Sequence, residues 1–79
     1  MKPRALVVLN PAAGAGRAPS RFAALRRHVE ARFRHRVIEL DTGSAWKRAL
    51  RRELEAGTGT RLVIAAGGDG TVHSVADAL

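Results

Sequence analysis

The architecture of this chain is set by one stretch of ten residues near its C-terminal end. It reads Leu62-Val63-Ile64-Ala65-Ala66-Gly67-Gly68-Asp69-Gly70-Thr71. An apolar run ends in three glycines and an acid, and the helical pattern Val72, Val75, Ala76 and Leu79 follows directly. Glycine has no Cβ and adopts positive φ readily, so such a turn lets a backbone approach a ligand closely. The free N–H groups at a helix start favour an anion. The stretch therefore predicts a strand–turn–helix unit suited to the phosphates of a nucleotide.

A similar unit begins the chain upstream of this stretch. The apolar run Ala5 to Leu9 predicts a strand covered on both faces. Residues 10–19 contain prolines and glycines and predict a loop. Ser20 is the expected N-cap of a first long helix. Its inward face is given by the helical spacing of Phe22, Leu25, Val29 and Phe33.

Between these two units the pattern predicts a further strand and helix. Residues 36–41 alternate as a half-buried, peripheral strand, and Thr42 to Ser44 form a turn with Ser44 as a helix cap. The second helix is built on Trp46, Ala49, Leu50 and Leu54 and ends at Gly57. The order β-α-β-α-β predicts an α/β fold with parallel strands, right-handed crossovers and three layers. The third helix has no stop signal, so we expect an N-terminal piece of a larger protein.

Composition narrows the functional classes. The 79 residues include no cysteine, which excludes disulfides and cysteine-based zinc sites. The apolar run after the N-terminus is too short for a signal peptide, and none approaches a membrane span, so we expect a soluble, cytoplasmic protein. The net charge of +7 raises three interpretations: a solvated basic face, contact with an anionic membrane, or nucleic-acid binding. The scarcity of aromatic residues argues against nucleic acid as a partner.

Two general nucleotide-binding motifs fit the first loop poorly. A P-loop requires Gly-Lys, and the chain has no such pair. A dinucleotide fingerprint would begin at Gly14 and Gly16, but Pro19 occupies the place of its third glycine. Asp41, at the end of the second strand, would suit the ribose-binding acid of that fingerprint, so the match is partial.

The two glycine-rich turns taken together resemble a known family. Asn10-Pro11-x-x-Gly14-x-Gly16, combined with Gly67-Gly68-Asp69-Gly70-Thr71, is similar to the catalytic domain of the diacylglycerol kinase family. That family includes sphingosine, ceramide and bacterial lipid kinases. The second motif alone is shared with NAD kinases and resembles a turn in phosphofructokinases, whereas the first distinguishes the lipid-kinase branch. The resemblance spans essentially all 79 residues and implies the N-terminal ATP-binding subdomain, with a Rossmann-like fold.

The resemblance also implies which residues bind the nucleotide. The candidates are Asn10, Pro11, Ala12, Ala13, Gly14, Gly16, Thr42, Gly67, Gly68, Asp69, Gly70, Thr71, His73 and Ser74. Asp69 would position Mg²⁺-ATP through water and would not be a direct metal ligand. His73 lies within the family's usual range, but Ser74 stands where glutamate is usual and cannot supply charge. If the strand order is 2-1-3, both turns would border one crevice at the C-terminal ends of adjacent strands.

The implied activity is transfer of the ATP γ-phosphoryl group to a hydroxyl of a diacylglycerol-like lipid, with ATP and Mg²⁺. In relatives the general base lies in a second, β-rich domain, so residues 1–79 alone are expected to be inactive. The expected location is cytoplasmic, with peripheral contact at the inner membrane surface. Two alternatives remain: an NAD-kinase-type phosphotransferase, and a basic module that binds anionic membrane or nucleic acid.

Overall fold

The chain folds into a parallel three-stranded sheet with helices on both faces. The computed structural model describes residues 2–57 and 59–79. In chain order the elements are β1 (Arg4–Leu9), α1 (Ala13–Gly16), α2 (Ala18–Arg32), β2 (Arg34–Glu39), α3 (Ala45–Glu55), β3 (Thr60–Ala66) and α4 (Asp69–Ala78). The strand order is β2-β1-β3, with both pairings parallel. The predicted α/β class is confirmed.

Strand β1 lies at the centre of the sheet. Val7 is in register with Val37 on one side and with Ile64 on the other. Residues 5–9 are all buried, as the continuous apolar run predicts for a parallel strand covered on both faces. The predicted peripheral position of the second strand is also confirmed, because β2 forms one edge of the sheet.

The two faces of the sheet bury different helices. The core on one face consists of Leu6, Val8, Ile38, Trp46, Leu50 and Val75, so α3 and α4 lie on that side. Neighbouring residues of a strand point to opposite faces. Helix α2 therefore covers the other face, where its Phe22 ring packs edge-on against His35, with the ring centroids 6.1 Å apart. His35 is the register partner of Ala5. The structure thus has the three predicted layers.

The start of the first long helix differs from the prediction. Residues 10–19 are not all loop, since α2 begins at Ala18 and Pro19 lies in its first turn. Proline fits there because the first amides of a helix have no acceptor within it. Ser20 is inside the helix and is not its N-cap, and its hydroxyl donates a hydrogen bond to the Arg17 carbonyl at 3.1 Å. Arg17 occupies the cap position.

Other boundaries move by one or two residues. Strand β2 begins two residues earlier than predicted, and Leu40 continues its ladder only through a hydrogen bond from its N–H to the Leu9 carbonyl at 2.8 Å. Ser44 does precede α3, although its side chain makes no capping hydrogen bond. Gly57 follows α3 with a φ of 67°, as expected for a glycine that ends a helix. Leu25 and Leu54, expected in the core, are exposed.

An ion-pair cluster fastens the end of the sheet at which β1 begins. Glu53 of α3 is buried and accepts hydrogen bonds from Arg4 of β1, at 3.0 Å, and from Arg36 of β2. The cluster joins three elements through one carboxylate.

Over the described ranges, 2–57 and 59–79, none of the helices is long and apolar enough to cross a membrane.

Candidate functional site

Both glycine-rich turns lie at the same edge of the sheet. The first follows β1 and the second follows β3, and these two strands are hydrogen-bonded neighbours. The ladder extends one step beyond the strands, because the Asn10 N–H donates to the Ala66 carbonyl at 2.9 Å. Carboxyl ends of parallel strands are where α/β sheets bind ligands. The 2-1-3 order on which the expected crevice depended is present.

The side chain of Asn10 links the two turns. Its Oδ1 accepts a hydrogen bond from the Ala12 N–H at 3.1 Å, which closes the start of the first turn. Its Nδ2 donates to Thr71 Oγ1, also at 3.1 Å, and Thr71 is buried in the first turns of α4. Both ends of the amide are therefore used, and the two turns are held at a defined separation.

The first turn is left-handed. Gly14 and Ala15 have φ of 61° and 58°, each with ψ of 39°, and Gly16 follows with φ of 81°. Such conformations are favourable for glycine and cost an alanine roughly 1–2 kcal/mol. Hydrogen bonds from the Gly16 N–H to the Ala12 carbonyl, at 3.2 Å, and from the Arg17 N–H to the Gly14 carbonyl hold the turn in place. The sequence prediction of an irregular loop misses this ordered turn.

The glycines of the second turn have different roles. A Cβ on Gly67 would lie 2.8 Å from Thr71 Cβ and closer still to its hydroxyl, so the fold itself requires glycine there. A Cβ on Gly68 or Gly70 would meet no atom within 4 Å, and neither residue has a positive φ. Packing of the chain therefore leaves the space beside these two glycines open.

Helix α4 begins within this open space. Gly68 is its N-cap, and no side chain caps its first amides. The Thr71 N–H already donates to the Gly68 carbonyl at 3.0 Å. The Asp69 and Gly70 N–H groups precede it and point toward the N-terminal end of the helix. The arrangement can donate hydrogen bonds to an anion, and the helix dipole adds to the attraction.

A cleft of about 420 Å³ opens between the two turns. It is lined by Asn10, Ala13, Gly14, Leu40, Gly68, Gly70, Thr71 and Ser74. Seven of these eight were candidate nucleotide-binding residues, so the structure brings most of the candidates together. Leu40 was missed. Its position directly after the second strand, next to the end of β1, is the signal that could have identified it.

The other candidates lie around this cleft or apart from it. Five candidates belong to the two turns but do not line this cleft: Pro11, Ala12, Gly16, Gly67 and Asp69. Thr42 is exposed, in a turn where the Gly43 N–H donates to Asp41 Oδ1 at 2.9 Å. His73 lies on the outer surface of α4, 3.4 Å from Asp77 Oδ2. Neither Thr42 nor His73 is brought into the cleft.

A second cleft, of about 300 Å³, adjoins the first between α2 and β3. Its lining is Ala13, Gly14, Ala18, Arg21, Phe22, Leu25, Ile64, Ala65, Ala66, Gly67 and Gly68. Ala13, Gly14 and Gly68 line both clefts, so the two spaces meet where the first turn faces the second. This shared boundary, formed by Ala13, Gly14 and Gly68, is called the neck below.

The second turn carries a single acid, Asp69. Within the described part of the chain no three side chains of His, Cys, Asp or Glu are grouped to hold a metal ion. Asp69 is an exposed acid in the first turn of α4. Mg²⁺ is commonly held by one or two carboxylates together with substrate phosphates and water, so a single acid at the turn is compatible with it.

Comparison with known proteins identifies a protein family. The family described as "Diacylglycerol kinase catalytic domain" matches residues 4–79. No curated protein and no solved structure matches the chain. The family match includes both glycine-rich turns, the three strands and the helices between them, and it covers nearly the whole chain. The chain therefore belongs to the diacylglycerol kinase catalytic domain family.

Proposed function

We propose that residues 1–79 form the ATP-binding part of a lipid kinase that transfers the γ-phosphoryl group of ATP to the hydroxyl of a diacylglycerol-like lipid. The observation that best supports this is the hydrogen bond from Asn10 to Thr71, at 3.1 Å. It joins the two motifs of the family across the cleft and makes them one site.

The geometry suggests how ATP would lie. Leu40 and Ser74 form the wall of the larger cleft, and Leu40 offers an apolar surface to a nucleoside. The phosphates would pass the neck, where Gly14 and Gly68 allow close approach and the first amides of α4 can donate hydrogen bonds. Mg²⁺ would supply charge neutralisation of the phosphates, and Asp69 would orient its water ligands.

The proton of the accepting hydroxyl must go to a base. The described residues that line the cleft carry no carboxylate, imidazole or amine. The hydroxyls of Thr71 and Ser74 are poor bases at neutral pH. We therefore propose that residues 1–79 bind MgATP but do not transfer phosphate, and that the base comes from another part of the full catalytic domain.

The test has two measurements. Calorimetric titration of the 79-residue chain with MgATP should show binding, whereas incubation with γ-labelled ATP and diacylglycerol vesicles should give no labelled lipid. The full-length protein should label the lipid. Gly68→Asp places a negative charge at the neck and should abolish both ATP binding and lipid labelling. Ala24→Asp makes the same change on exposed α2 and should preserve both.

Several outcomes would contradict the proposal. Absence of MgATP binding by wild-type protein would exclude the nucleotide site. Labelling of NAD in place of lipid by the full-length protein would indicate the NAD-kinase-type alternative. Lipid labelling by residues 1–79 alone would show that the base lies within this chain.

We also propose peripheral contact with an anionic membrane, on the basis of a separate observation. The outer surface of α3 presents Arg48, Arg51 and Arg52, which line a shallow depression together with Glu55 and Ala56. The opposite side of α3 is buried through Trp46 and Leu50, so the arginines face away from the sheet. Anionic headgroups attract such clusters, at about 1 kcal/mol per basic residue near the surface.

Cosedimentation with vesicles tests this contact. Binding should be stronger to vesicles of phosphatidylglycerol mixed with phosphatidylcholine than to vesicles of phosphatidylcholine alone. The triple change of Arg48, Arg51 and Arg52 to Gln should remove the difference, and Asp69→Ala should not affect it. Equal binding to both vesicle types would contradict the proposal.

A further inference from the structure

Arg21 lines the smaller cleft between α2 and β3. Of the described residues that line the two clefts, it is the one with a basic side chain, and none is acidic. A polyphosphate that passed the neck from the larger cleft would bring negative charge into the smaller cleft, and a positive charge there would balance it. Arg21 is the residue in position to provide that charge.

Arg21 is held close to the first glycine-rich turn. It lies in the first turns of α2, where its N–H donates to the Arg17 carbonyl at 3.0 Å. A Cβ placed on Gly14 would be 3.9 Å from Arg21 Nη1, so the guanidinium borders the neck on the side of the smaller cleft. Gly14 therefore leaves open the space directly beside this cation.

The guanidinium is available for a ligand. In the described part of the chain, the ion pairs of arginines involve Arg4, Arg26 and Arg36, and none involves Arg21. Arg21 is exposed, so burial against protein does not hinder access to it. A planar guanidinium donates paired hydrogen bonds that match two phosphate oxygens, which favours arginine where phosphate is recognised.

We propose that Arg21 binds the outer phosphates of the nucleotide and makes the site selective for ATP over AMP. This proposal rests on the proposed function. The nucleoside would occupy the larger cleft, the first phosphate would reach the amides of α4 at the neck, and the later phosphates would pass Gly14 toward Arg21. A nucleotide with one phosphate would end before it reached the guanidinium.

The experiment compares affinities for two nucleotides in four proteins. Calorimetric titrations with MgATP and with AMP are made on the 79-residue chain as wild type, Arg21→Ala, Arg21→Lys and Arg27→Ala. Arg27 is the matched control because it is an exposed arginine of the same helix and lines neither cleft. Thermal unfolding of each variant shows whether its fold is intact.

Arg21→Ala should weaken MgATP binding about tenfold, the loss expected for one charge-assisted contact, and leave AMP affinity unchanged. Arg21→Lys should retain part of the preference for MgATP over AMP, since lysine keeps the positive charge but cannot donate the paired hydrogen bonds of a guanidinium. Arg27→Ala should match wild type for both nucleotides.

Two results would overturn the proposal, and they are distinguishable from each other. If wild-type protein binds MgATP and Arg21→Ala does not change the ratio of ATP to AMP affinity, the assignment of Arg21 is wrong while the proposed function stands. If wild-type protein binds no nucleotide, both are wrong.

Discussion

Asn10 Nδ2 donates a hydrogen bond to Thr71 Oγ1 at 3.1 Å, which connects residues that are 61 positions apart in the chain. The same amide accepts a hydrogen bond from the Ala12 N–H through Oδ1. Few side chains of this length offer one donor and one acceptor in this geometry. Aspartate has the shape but not the donor, and leucine has neither group. The site therefore depends on amide chemistry at position 10, apart from any contact with a ligand.

The hydrogen bond between Asn10 and Thr71 should contribute to the stability of the fold. Asn10→Ala and Thr71→Val should each lower the free energy of unfolding, and the double variant should lose less than the sum. The coupling should be about 1 kcal/mol, the usual net value of a hydrogen bond. Urea unfolding of the four proteins measures it. Strict additivity of the two changes would show that the contact does not contribute to stability.

Gly67 should tolerate no larger residue without a loss of stability. Gly67→Ala should destabilise the chain by about 1–3 kcal/mol, because the new methyl group overlaps the Thr71 side chain and must displace it. Thr71→Ala removes Oγ1 and Cγ2, two of the three Thr71 atoms that the new methyl group would overlap. Gly67→Ala should therefore cost less in the Thr71→Ala background than in the wild-type background. Thermal denaturation followed by circular dichroism gives the comparison. An alanine variant as stable as wild type would mean that Thr71 moves aside without cost.

Gly68 and Gly70 allow stability and binding to be separated, which gives a third prediction. Neither site has a neighbour that a Cβ would meet, and neither has positive φ. Gly68→Ala should therefore lower the free energy of unfolding by no more than about 1 kcal/mol, the cost of a poorer N-cap. Gly70→Ala should raise it, by up to about 1 kcal/mol, because alanine is the better helix former.

The same two variants should nevertheless bind MgATP at least roughly tenfold more weakly, because each methyl group enters the cleft where the phosphates approach. Calorimetry on the same samples used for unfolding provides the measurement. Wild-type affinity in both variants would place the phosphates elsewhere.

The Glu53 carboxylate should contribute more to stability than either arginine that it binds. Glu53→Ala leaves Arg4 without the carboxylate to which it donates, in a part-buried position, and should cost about 3 kcal/mol. Arg36→Ala should cost less than about 1 kcal/mol, because the Arg36 side chain is 55% exposed. Urea unfolding distinguishes these values. MgATP affinity of the folded fraction should be unchanged in both, since β1 begins at this cluster and ends at the cleft.

Much of the fold was predictable because it depends on patterns within single elements. The continuous apolar run of β1 identified the buried central strand, and the spacing of Trp46 and Leu50 identified the buried side of α3. The sequence pattern does not predict the helix start at Ala18, because proline is common in loops and also suits the first turn of a helix. Leu25 was expected in the core from its spacing, but it lies at the smaller cleft and remains exposed.

The sequence predicts the two motifs of the site but not the side-chain contacts that join them. Sequence placed both glycine-rich turns after strands, and the strand order then brought them together. The link from Asn10 to Thr71 and the proximity of Arg21 to Gly14 depend on tertiary geometry, which spacing along the chain does not encode. The left-handed conformation of Ala15 was likewise hidden, because alanine gives no local signal for positive φ.

The central position of β1 has a consequence for the order of folding. Of the three strands β1 is synthesised first, and its neighbours begin only at Arg34 and Thr60. Until β3 has been synthesised, one backbone edge of β1 must therefore stay unpaired. Pairings this distant in sequence close slowly, and unpaired strand edges associate with other chains. Synthesis of β3 is thus the step at which the growing polypeptide stops being vulnerable to aggregation through β1.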